Sequence, residues 1–334
     1  GSRLVNGVCQ SCLNYEAEKS VNWVERQSIF RQPHYRKSYN CAVAVSGGKD
    51  SYAITHFVTT NLGLNPLLIR VNDGFGVSEI GKQNLAQMPP AFSCSMIEIS
   101  LPPPLTKLMI VAGLEQLGNF PFVDAMIYLI PLYLANHLGI PLVFYGEDAA
   151  YIYGTSSSHA NTVNVEQFRE TWDWLLQNFD SDEIALLEPR PMKAVGRYAS
   201  YYMAWDDWNN FEVAKKYGFS PLANSRAGNI CNFDQIDSLG WQVSNALKYA
   251  KFGFGRVSDI ASRWIRSGRL SRQSAIELVE EQDGKLDDSV LQDFLKVTNY
   301  SEGQFWVMFN KWWNTDLFQR VNGKWVKRFK VGKT

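Results

Sequence analysis

The chain has 334 residues, of which 46% are hydrophobic and 13% aromatic, which is more than one ordinary core needs and predicts one large or two unequal domains. The chain has 33 lysines and arginines together and 33 aspartates and glutamates together. Its formal net charge is therefore zero, which argues against a globally basic nucleic-acid-binding protein. Five cysteines in a chain of this length do not make a disulfide framework. Such a sparse, odd-numbered set is typical of the reducing cytoplasm, where we expect this protein.

The most apolar stretch covers residues 126–145 and contains Pro131, Asn136, His137 and Pro141. A membrane-spanning helix tolerates such residues poorly. We therefore expect a buried helix followed by a strand, in a soluble protein with no membrane partner.

Three regions follow one another along the chain. Residues 1–38 are polar and hold a Cys-x-x-Cys pair, followed by an expected helix near residues 16–30. Residues 39–225 alternate apolar runs with helical stretches, which predicts βαβ units around a parallel sheet. Residues 226–334 are expected to be helical from about Leu239 to the end, with Ser271 as a helix N-cap. The predicted strands are 41–45, 67–71, 96–99 and 142–145, and the predicted helices of the middle region are 51–61, 163–179 and 208–217.

The most informative motif is the run Ser46-Gly-Gly-Lys-Asp-Ser51, which follows the first buried strand and opens a helix. Two consecutive glycines allow a sharp turn and remove the Cβ atoms that would keep a ligand away. The backbone N–H groups of a helix start form an anion site, to which the serine hydroxyls and the lysine add donors. The spacing differs from the Walker-type loop. This pattern favours phosphate binding over a simple Gly-Gly connection.

The motif resembles that of the PP-loop ATP pyrophosphatases, which have a doubly wound α/β fold and cleave ATP between the α and β phosphates. The resemblance implies a pyrophosphate cradle formed by Ser46, Gly47, Gly48, Lys49, Asp50 and Ser51, with Asp50 near Mg²⁺. It also implies that Asn72, Asp73 and Gly146, each at the end of a strand, belong to the ATP site. Ligands of open α/β sheets bind at this edge.

Several further segments resemble the bacterial N-acetyl sugar amidotransferases of the WbpG and PseA type, which act in surface-polysaccharide (lipopolysaccharide O-antigen or nonulosonic acid) biosynthesis. The likeness spans most of the chain, and its most specific piece is Lys251-Phe-Gly-Phe-Gly-Arg256. The other matching segments are 6–15, 63–68, 146–154, 204–218 and 265–284.

This resemblance implies that ATP adenylates an acetamide oxygen and that ammonia then displaces AMP to leave an acetamidino group. Lys49, Asp50 and Glu147 are the catalytic candidates, although Glu147 could equally serve a helix dipole. In this family a separate glutaminase subunit supplies the ammonia, together with a partner that resembles the cyclase of histidine biosynthesis.

Other candidate residues are tied to the substrate or to a second metal. Tyr153, Asp206, Lys251 and Arg256 are substrate candidates, the last two because they stand among glycines in a basic stretch that suits a nucleotide-linked or acidic sugar. A tryptophan pair flanks Asp206 and is more often core packing than a sugar platform. Cys9 and Cys12 would be the ligands if zinc is bound, but one pair is half of a zinc site. Two reduced thiols are the other interpretation.

Two other functions compete with the sugar amidotransferase. One is a PP-loop enzyme that modifies tRNA, a thiolase or a lysidine synthase, which the balanced charge disfavours. The other is a non-catalytic scaffold for a glutaminase complex, which the intact loop disfavours.

Overall fold

The computed structural model describes residues 3–30, 38–146 and 161–332. At the N-terminus two short antiparallel strands, β1 (Leu4–Val5) and β2 (Val8–Cys9), lead into helices α1 (Gln10–Glu18) and α2 (Trp23–Gln27). The single helix expected over residues 16–30 is therefore wrong. The chain breaks after α1 because Asn22 caps a new helix, its side chain accepting a hydrogen bond from the Glu25 N–H.

A five-stranded sheet of parallel strands forms the centre of the middle region. The strand order is β5-β4-β3-β6-β7, and every neighbouring pair is parallel. The chain runs outward from β3 through β4 to β5 and returns on the other side of β3, so the direction of winding switches between β3 and β6. This topology confirms the predicted doubly wound α/β fold. The strands are β3 (Cys41–Val45), β4 (Pro66–Asn72), β5 (Ser95–Ser100), β6 (Leu142–Tyr145) and β7 (Val195–Tyr198).

Helices connect these strands, as parallel pairing requires. The helix that follows β3 ends at His56 and continues as a π-helical turn over Phe57–Asn61. The helix that precedes β6 packs on the sheet, where Leu132 and Ala135 share a buried cluster with residues of β3, β4 and β6. The helices in chain order are α3 (Lys49–His56), α4 (Glu79–Phe92), α5 (Pro103–Ala112), α6 (Pro121–His137), α7 (Arg169–Asn178) and α8 (Asp207–Lys216).

The C-terminal region is helical, as predicted, up to residue 310. Ser271 caps its helix by accepting a hydrogen bond from the Ser274 N–H, which confirms that prediction. The helices are α9 (Gly240–Phe252), α10 (Arg256–Arg266), α11 (Arg272–Gln282), α12 (Asp288–Thr298) and α13 (Glu302–Asn310).

The expectation of helix to the end of the chain is wrong. Strands β8 (Phe318–Val321) and β9 (Lys324–Lys327) form an antiparallel hairpin. Its two-residue turn is Asn322-Gly323, with φ of +49° and +79°. Asn-Gly adopts such left-handed conformations at low cost, and the resulting turn matches the twist of the flanking strands.

The chain forms two compact units. The first comprises the described parts of Gly1–Asp73, Gly81–Ser100 and Phe122–Ser220 and contains the parallel sheet. The second unit comprises the described parts of Gly74–Ile80, Leu101–Pro121 and Pro221–Thr334 and contains α9 to α13 with the hairpin. Among the described residues, no helix combines the length and apolar character that a bilayer crossing needs.

Candidate functional site

The loop between β3 and α3 makes a sharp turn that only glycine fits. Gly47 has a φ of +92°, in the left-handed region. A Cβ atom at this position would lie 2.9 Å from the Cβ of Leu85. Gly48 is extended and is the N-cap of α3. The backbone of the turn therefore packs directly against α4 with no room for a side chain.

The two serines at the ends of the motif hold the loop closed. The Ser46 N–H donates to the Ser51 hydroxyl at 2.9 Å, and the two hydroxyls are 3.1 Å apart. The Gly48 N–H donates to the Ser46 hydroxyl at 3.3 Å. In the first turn of any α-helix, the backbone N–H groups have no helical carbonyl four residues earlier to which they could donate. The loop thus directs a helix start, with its positive dipole end, at the space beyond the end of β3, which suits an anion.

Lys49 and Asp50 meet residues of α8. The Lys49 Nζ donates to Asp50 Oδ2 at 2.7 Å and lies 3.6 Å from Asp207 Oδ1. The other oxygen of Asp50 accepts a hydrogen bond from the Asn210 amide at 2.8 Å. Lys49 and Asp207 are only 3% and 7% exposed, whereas the Asp50 side chain is 36% exposed. The accessible member of this group is therefore the carboxylate of Asp50, held in place by a lysine and an amide.

The remaining predicted nucleotide residues stand at the same edge of the sheet. Asn72 is the last residue of β4, Asp73 follows it and is 3% exposed, and Gly146 directly follows β6. The carboxyl ends of parallel strands share one edge, and β4 and β6 both pair with β3. The structure thus brings the loop, Asn72, Asp73 and Gly146 to one edge, beside the switch point. Glu147 and Tyr153 lie outside the described residues.

Asp124 is at this edge too, and the sequence reasoning missed it. Helix α6 precedes β6 and runs antiparallel to it, and the Tyr145 hydroxyl at the end of β6 donates to the Tyr128 carbonyl at 2.6 Å. Asp124 lies one turn earlier, about 6 Å further along the axis at 1.5 Å per residue. It therefore continues the sheet-facing stripe of Tyr128, Leu132 and Ala135 beyond the end of the sheet.

The environment of Asp124 is unusual for a carboxylate on a helix. Its side chain is accessible to solvent, yet burial raises the pKa of its carboxyl to about 6. Desolvation by surrounding protein favours the neutral acid over the carboxylate. A carboxyl with a pKa near 6 can accept a proton at neutral pH and later release it.

The predicted substrate-binding residues outside the loop form hydrogen bonds with other groups of the protein. Asp206 caps α8, its carboxylate accepting hydrogen bonds from the Trp208 and Asn209 N–H groups at 3.1 and 2.9 Å. In the second unit the Lys251 Nζ donates to two backbone carbonyls at 3.0 and 3.1 Å. Arg256 makes two hydrogen bonds with the Asp234 carboxylate at 2.8 and 2.6 Å. Their contacts with a substrate stay predictions.

The cysteine pair stands where β2 meets α1. The Cys9 thiol lies 3.0 Å from the Cys12 sulfur, as a hydrogen-bonded pair of thiols. A closed zinc site takes four ligands. Within residues 3–30, 38–146 and 161–332, no three His, Cys, Asp or Glu side chains stand together as a metal site would require. Among the described residues, Cys9 and Cys12 therefore provide two candidate ligands, half of the number that a closed zinc site needs.

Solved structures with a distant likeness to this chain include a reductase and a tRNA thiolase. The structure described as a phosphoadenylyl-sulfate (PAPS) reductase from Candida auris in complex with phosphate has 10% identity and a TM-score of 0.34, covering 66% of this chain and 91% of that one. The U34-tRNA thiolase NcsA from Methanococcus maripaludis with its [4Fe-4S] cluster has 12% identity and a TM-score of 0.36, covering 87% of this chain and 89% of that one. At these TM-scores neither bears on the function, and the fold assignment rests on the sheet topology.

Comparison of sequences gave a more direct result. No curated protein sequence matches this chain. A family model described as "LPS biosynthesis protein WbpG-like, C-terminal domain" matches residues 196–331. This range begins in β7 and includes α8 and all of α9 to β9. Residues 196–331 of this chain are therefore similar to the C-terminal domain of the WbpG-like LPS biosynthesis proteins.

Proposed function

We propose that this protein is an ATP-dependent amidotransferase that converts the N-acetyl group of a sugar into an acetamidino group. The observation that carries the proposal is the closed Ser46–Ser51 loop, which directs the start of α3 at the switch point of a doubly wound sheet. The match to an LPS biosynthesis family supports a sugar as the substrate. The resemblance to N-acetyl sugar amidotransferases supplies the reaction.

In this proposal the loop binds the pyrophosphate part of ATP. The N–H groups at the start of α3 and the serine hydroxyls donate to phosphate oxygens, and Asn72 and Asp73 lie beside the adenosine. Asp50 would be the protein ligand of Mg²⁺, which is usually bound through one or two carboxylates together with substrate phosphates. The accessible carboxylate of Asp50 fits that role. When bound, Mg²⁺ would neutralise charge that develops on the phosphates.

The chemistry has two steps. The acetamide oxygen attacks the α-phosphorus, the bond to the bridging oxygen breaks, and pyrophosphate leaves. Ammonia then attacks the activated carbon, a proton leaves the new nitrogen, and the bond to AMP breaks to give the amidine. An amide oxygen is a weak nucleophile, so positioning and charge stabilisation must provide most of the rate acceleration.

Asp124 is our candidate for the proton acceptor in the second step. It stands at the carboxyl edge of the sheet, is accessible, and has a carboxyl pKa of about 6 because of burial. At neutral pH it is therefore ionised and able to take the proton that the attacking nitrogen loses. Glu147, outside the described residues, is a second carboxylate for the same step.

The ammonia would come from a separate glutaminase subunit, delivered with a second partner that resembles the cyclase of histidine biosynthesis. This part of the proposal rests on the resemblance alone. Free ammonium salts at high concentration replace such a supply in an assay, so the chemistry of this chain can be tested without partners.

The test is mass spectrometry of N-acetyl sugars, both UDP- and CMP-linked, incubated with the protein, Mg·ATP and ammonium chloride. Replacement of the acetamide oxygen by NH lowers the sugar mass by about one dalton and adds a group that stays protonated at neutral pH. One AMP and one pyrophosphate should form per amidine, and omission of ammonium is the control. Absence of any mass change, together with tight and salt-dependent tRNA binding, would favour the tRNA-modifying alternative.

A further inference from the structure

Two cysteines of the first unit are in contact with each other at the start of α1. Cys9 ends β2 and is the N-cap of α1, and Cys12 is the third residue of that helix. Their Sγ atoms are 3.0 Å apart. Both residues are partly exposed, so small molecules in solution can reach them. The proposed amidotransferase chemistry gives this pair no role.

The backbone on both sides of the pair holds the two sulfurs together. Cys9 pairs with Leu4 in the hairpin of β1 and β2, and the Gln10 N–H donates to the Arg3 carbonyl at 2.8 Å. Cys12 is fixed by the first turn of α1. The contact between the thiols therefore follows from the hairpin and the helix, which meet at Cys9.

This arrangement needs little change to become a disulfide. A disulfide bond requires the two sulfurs to approach to about 2 Å. Because they are already 3.0 Å apart, a movement of about 1 Å closes the bond. Rotation of the two side chains supplies such a movement, and the hairpin and the helix can keep their hydrogen bonds. The geometry thus suits a dithiol that is oxidised and reduced reversibly.

The other three cysteines are less suited to this chemistry. Cys41 and Cys231 are buried, at 0% and 8% exposed, and burial raises the pKa of the Cys41 thiol. Cys94 is partly exposed, but its thiol donates to the Phe92 carbonyl at 3.3 Å and burial raises its pKa. Since the thiolate is the reacting form, a raised pKa makes these thiols slow to react. Cys94 is a suitable control, as an accessible cysteine outside the pair.

Paired cysteines can also serve a structural metal. A closed zinc site needs four ligands, and within residues 3–30, 38–146 and 161–332 only Cys9 and Cys12 stand together at this place. In proteins of the reducing cytoplasm, a Cys-x-x-Cys pair is often redox-active, and its disulfide is transient. Two contacting thiols fit that chemistry better than they fit zinc.

We propose that Cys9 and Cys12 form a redox site that exchanges with small disulfides of the glutathione class. One thiolate attacks a sulfur of glutathione disulfide and expels one glutathione, which leaves a mixed disulfide. The second thiolate attacks the protein sulfur of that mixed disulfide, expels the second glutathione and closes the bond between Cys9 and Cys12. The protein loses two electrons and two protons, and glutathione disulfide gains them as two thiols.

The experiment follows the thiol state of the full chain in buffers with defined ratios of glutathione to glutathione disulfide. After acid quenching and alkylation with N-ethylmaleimide, trypsin should release residues 4–19 as one peptide, because cleavage follows Arg3 and Lys19. This peptide carries both Cys9 and Cys12. It should bear two alkyl groups in the reduced protein. In the oxidised protein it should bear none and weigh two hydrogen atoms less than the unmodified peptide, and dithiothreitol should restore both thiols.

Substitutions separate the pair from other thiols. Cys12→Ser should accumulate a mixed disulfide of Cys9 with glutathione, because no second thiol remains to expel the glutathione. The wild type should hold about tenfold less of this adduct at the same ratio, since its second thiol resolves it. Cys94→Ser is the matched control and should form the disulfide between Cys9 and Cys12 as the wild type does.

Two results would overturn the proposal. One is a wild-type peptide that keeps both thiols, or gains glutathione adducts alone, at every ratio. The other is a zinc ion retained by each chain in elemental analysis, with thiols that are oxidised only after a chelator removes the metal. Neither result bears on the amidine, which is measured on the sugar. The redox site and the proposed function can therefore fail independently.

Discussion

The phosphate loop of the first unit and two glutamines of the second, Gln235 and Gln242, differ in how their polar groups are satisfied. In the loop, the Lys49, Asp50 and Asn210 side chains hydrogen-bond one another, so the charged groups are already in position. In the second unit, the buried Oε1 of Gln235 and both amide atoms of Gln242 have no hydrogen-bond partner among the described residues. A charged site must compensate its own charges to fold, because a buried unpaired charge costs far more than a buried unpaired amide.

This difference predicts opposite outcomes for substitution. Removing a polar group from the loop breaks an arrangement and costs activity. Replacing Gln242 by an apolar residue of similar size deletes unsatisfied groups and should not lower the stability of the second unit. The following predictions begin with the largest effect and test the first unit, which contains the loop.

Asp50→Asn should produce the largest loss. The substitution keeps the shape but removes the charge that pairs with Lys49 and that would bind Mg²⁺. We expect pyrophosphate release to fall by about 10²- to 10³-fold, the range seen when one preorganised electrostatic group is removed. Asp182→Asn, an exposed residue of the same unit, is the control and should retain wild-type turnover. If Asp50→Asn and Asp182→Asn release pyrophosphate at equal rates, Asp50 is not part of the catalytic site.

Asp124→Asn should lower turnover by about 100-fold at pH 7.5, because a general base contributes at least that much. The wild-type kcat/KM should fall as pH drops through about 6, where burial places the pKa of Asp124, and this limb should vanish in the variant. A lower activity of Asp124→Asn that still falls below pH 6 as in the wild type would assign the limb to another group.

The same substitution should change stability in a pH-dependent way. The folded pKa of Asp124 is raised above 3.8 to about 6. The folded state therefore binds the proton more tightly, and this stabilisation is present below the unfolded pKa and lost as pH rises through 6. Asp124→Asn should thus raise Tm relative to wild type more at pH 7 than at pH 4, as measured by thermal unfolding.

Gly47→Ala should weaken ATP binding and destabilise the first unit. Its φ of +92° and the 2.9 Å approach of a Cβ to Leu85 predict a cost of about 1–3 kcal/mol from strain and displacement of the loop. Gly63→Ala is the matched control, since Gly63 also has a positive φ, +65°, but has open space around a Cβ. The control should lose some stability and keep the wild-type Kd for ATP.

Asp206→Ala should have the smallest effect, a loss of about 1 kcal/mol in the free energy of unfolding, because the carboxylate caps α8. Asp206→Asn should restore this stability, as asparagine caps equally well. If Asp206 also contacts the sugar through its charge, Asp206→Asn will be as stable as the wild type but bind sugar more weakly. If Asp206→Asn binds sugar with the wild-type affinity, the charge of Asp206 does not contact the sugar, and its role is to cap α8.

The parts of the fold that depend on local patterns were predictable. The strands 41–45 and 142–145 coincide with the observed ones because continuous apolar runs mark buried parallel strands. The turn of β8 and β9 carried a local signal too, because Asn322-Gly323 is a typical hairpin pair, although the chain was expected to be helical there. Strand β7 was missed because Val195–Tyr198 is four residues long and carries no continuous apolar run.

The parts of the site that depend on distant contacts were not predictable. Asn210 is 160 residues from Asp50, and nothing in the spacing of α8 indicates that it reaches the loop. Asp207, beside the predicted Asp206, was passed over because only the fold distinguishes the capping residue from the one that faces Lys49. Asp124 did carry a signal, a lone acid in an apolar helix on the sheet-facing stripe. The unpaired amide atoms of Gln235 and Gln242 carried none, since unpaired atoms can be identified only once the positions of all neighbouring groups are known.

The hydrogen bond between Asp50 and Asn210 also sets the order in which the site can form during synthesis. The loop leaves the ribosome first, but its amide partner follows 160 residues later, a delay of roughly 10 to 30 s at typical rates of translation. Until then the nascent chain holds Lys49 and Asp50 without the α8 residues that position them. The nascent protein therefore gains a complete nucleotide site only when most of the first unit has been made.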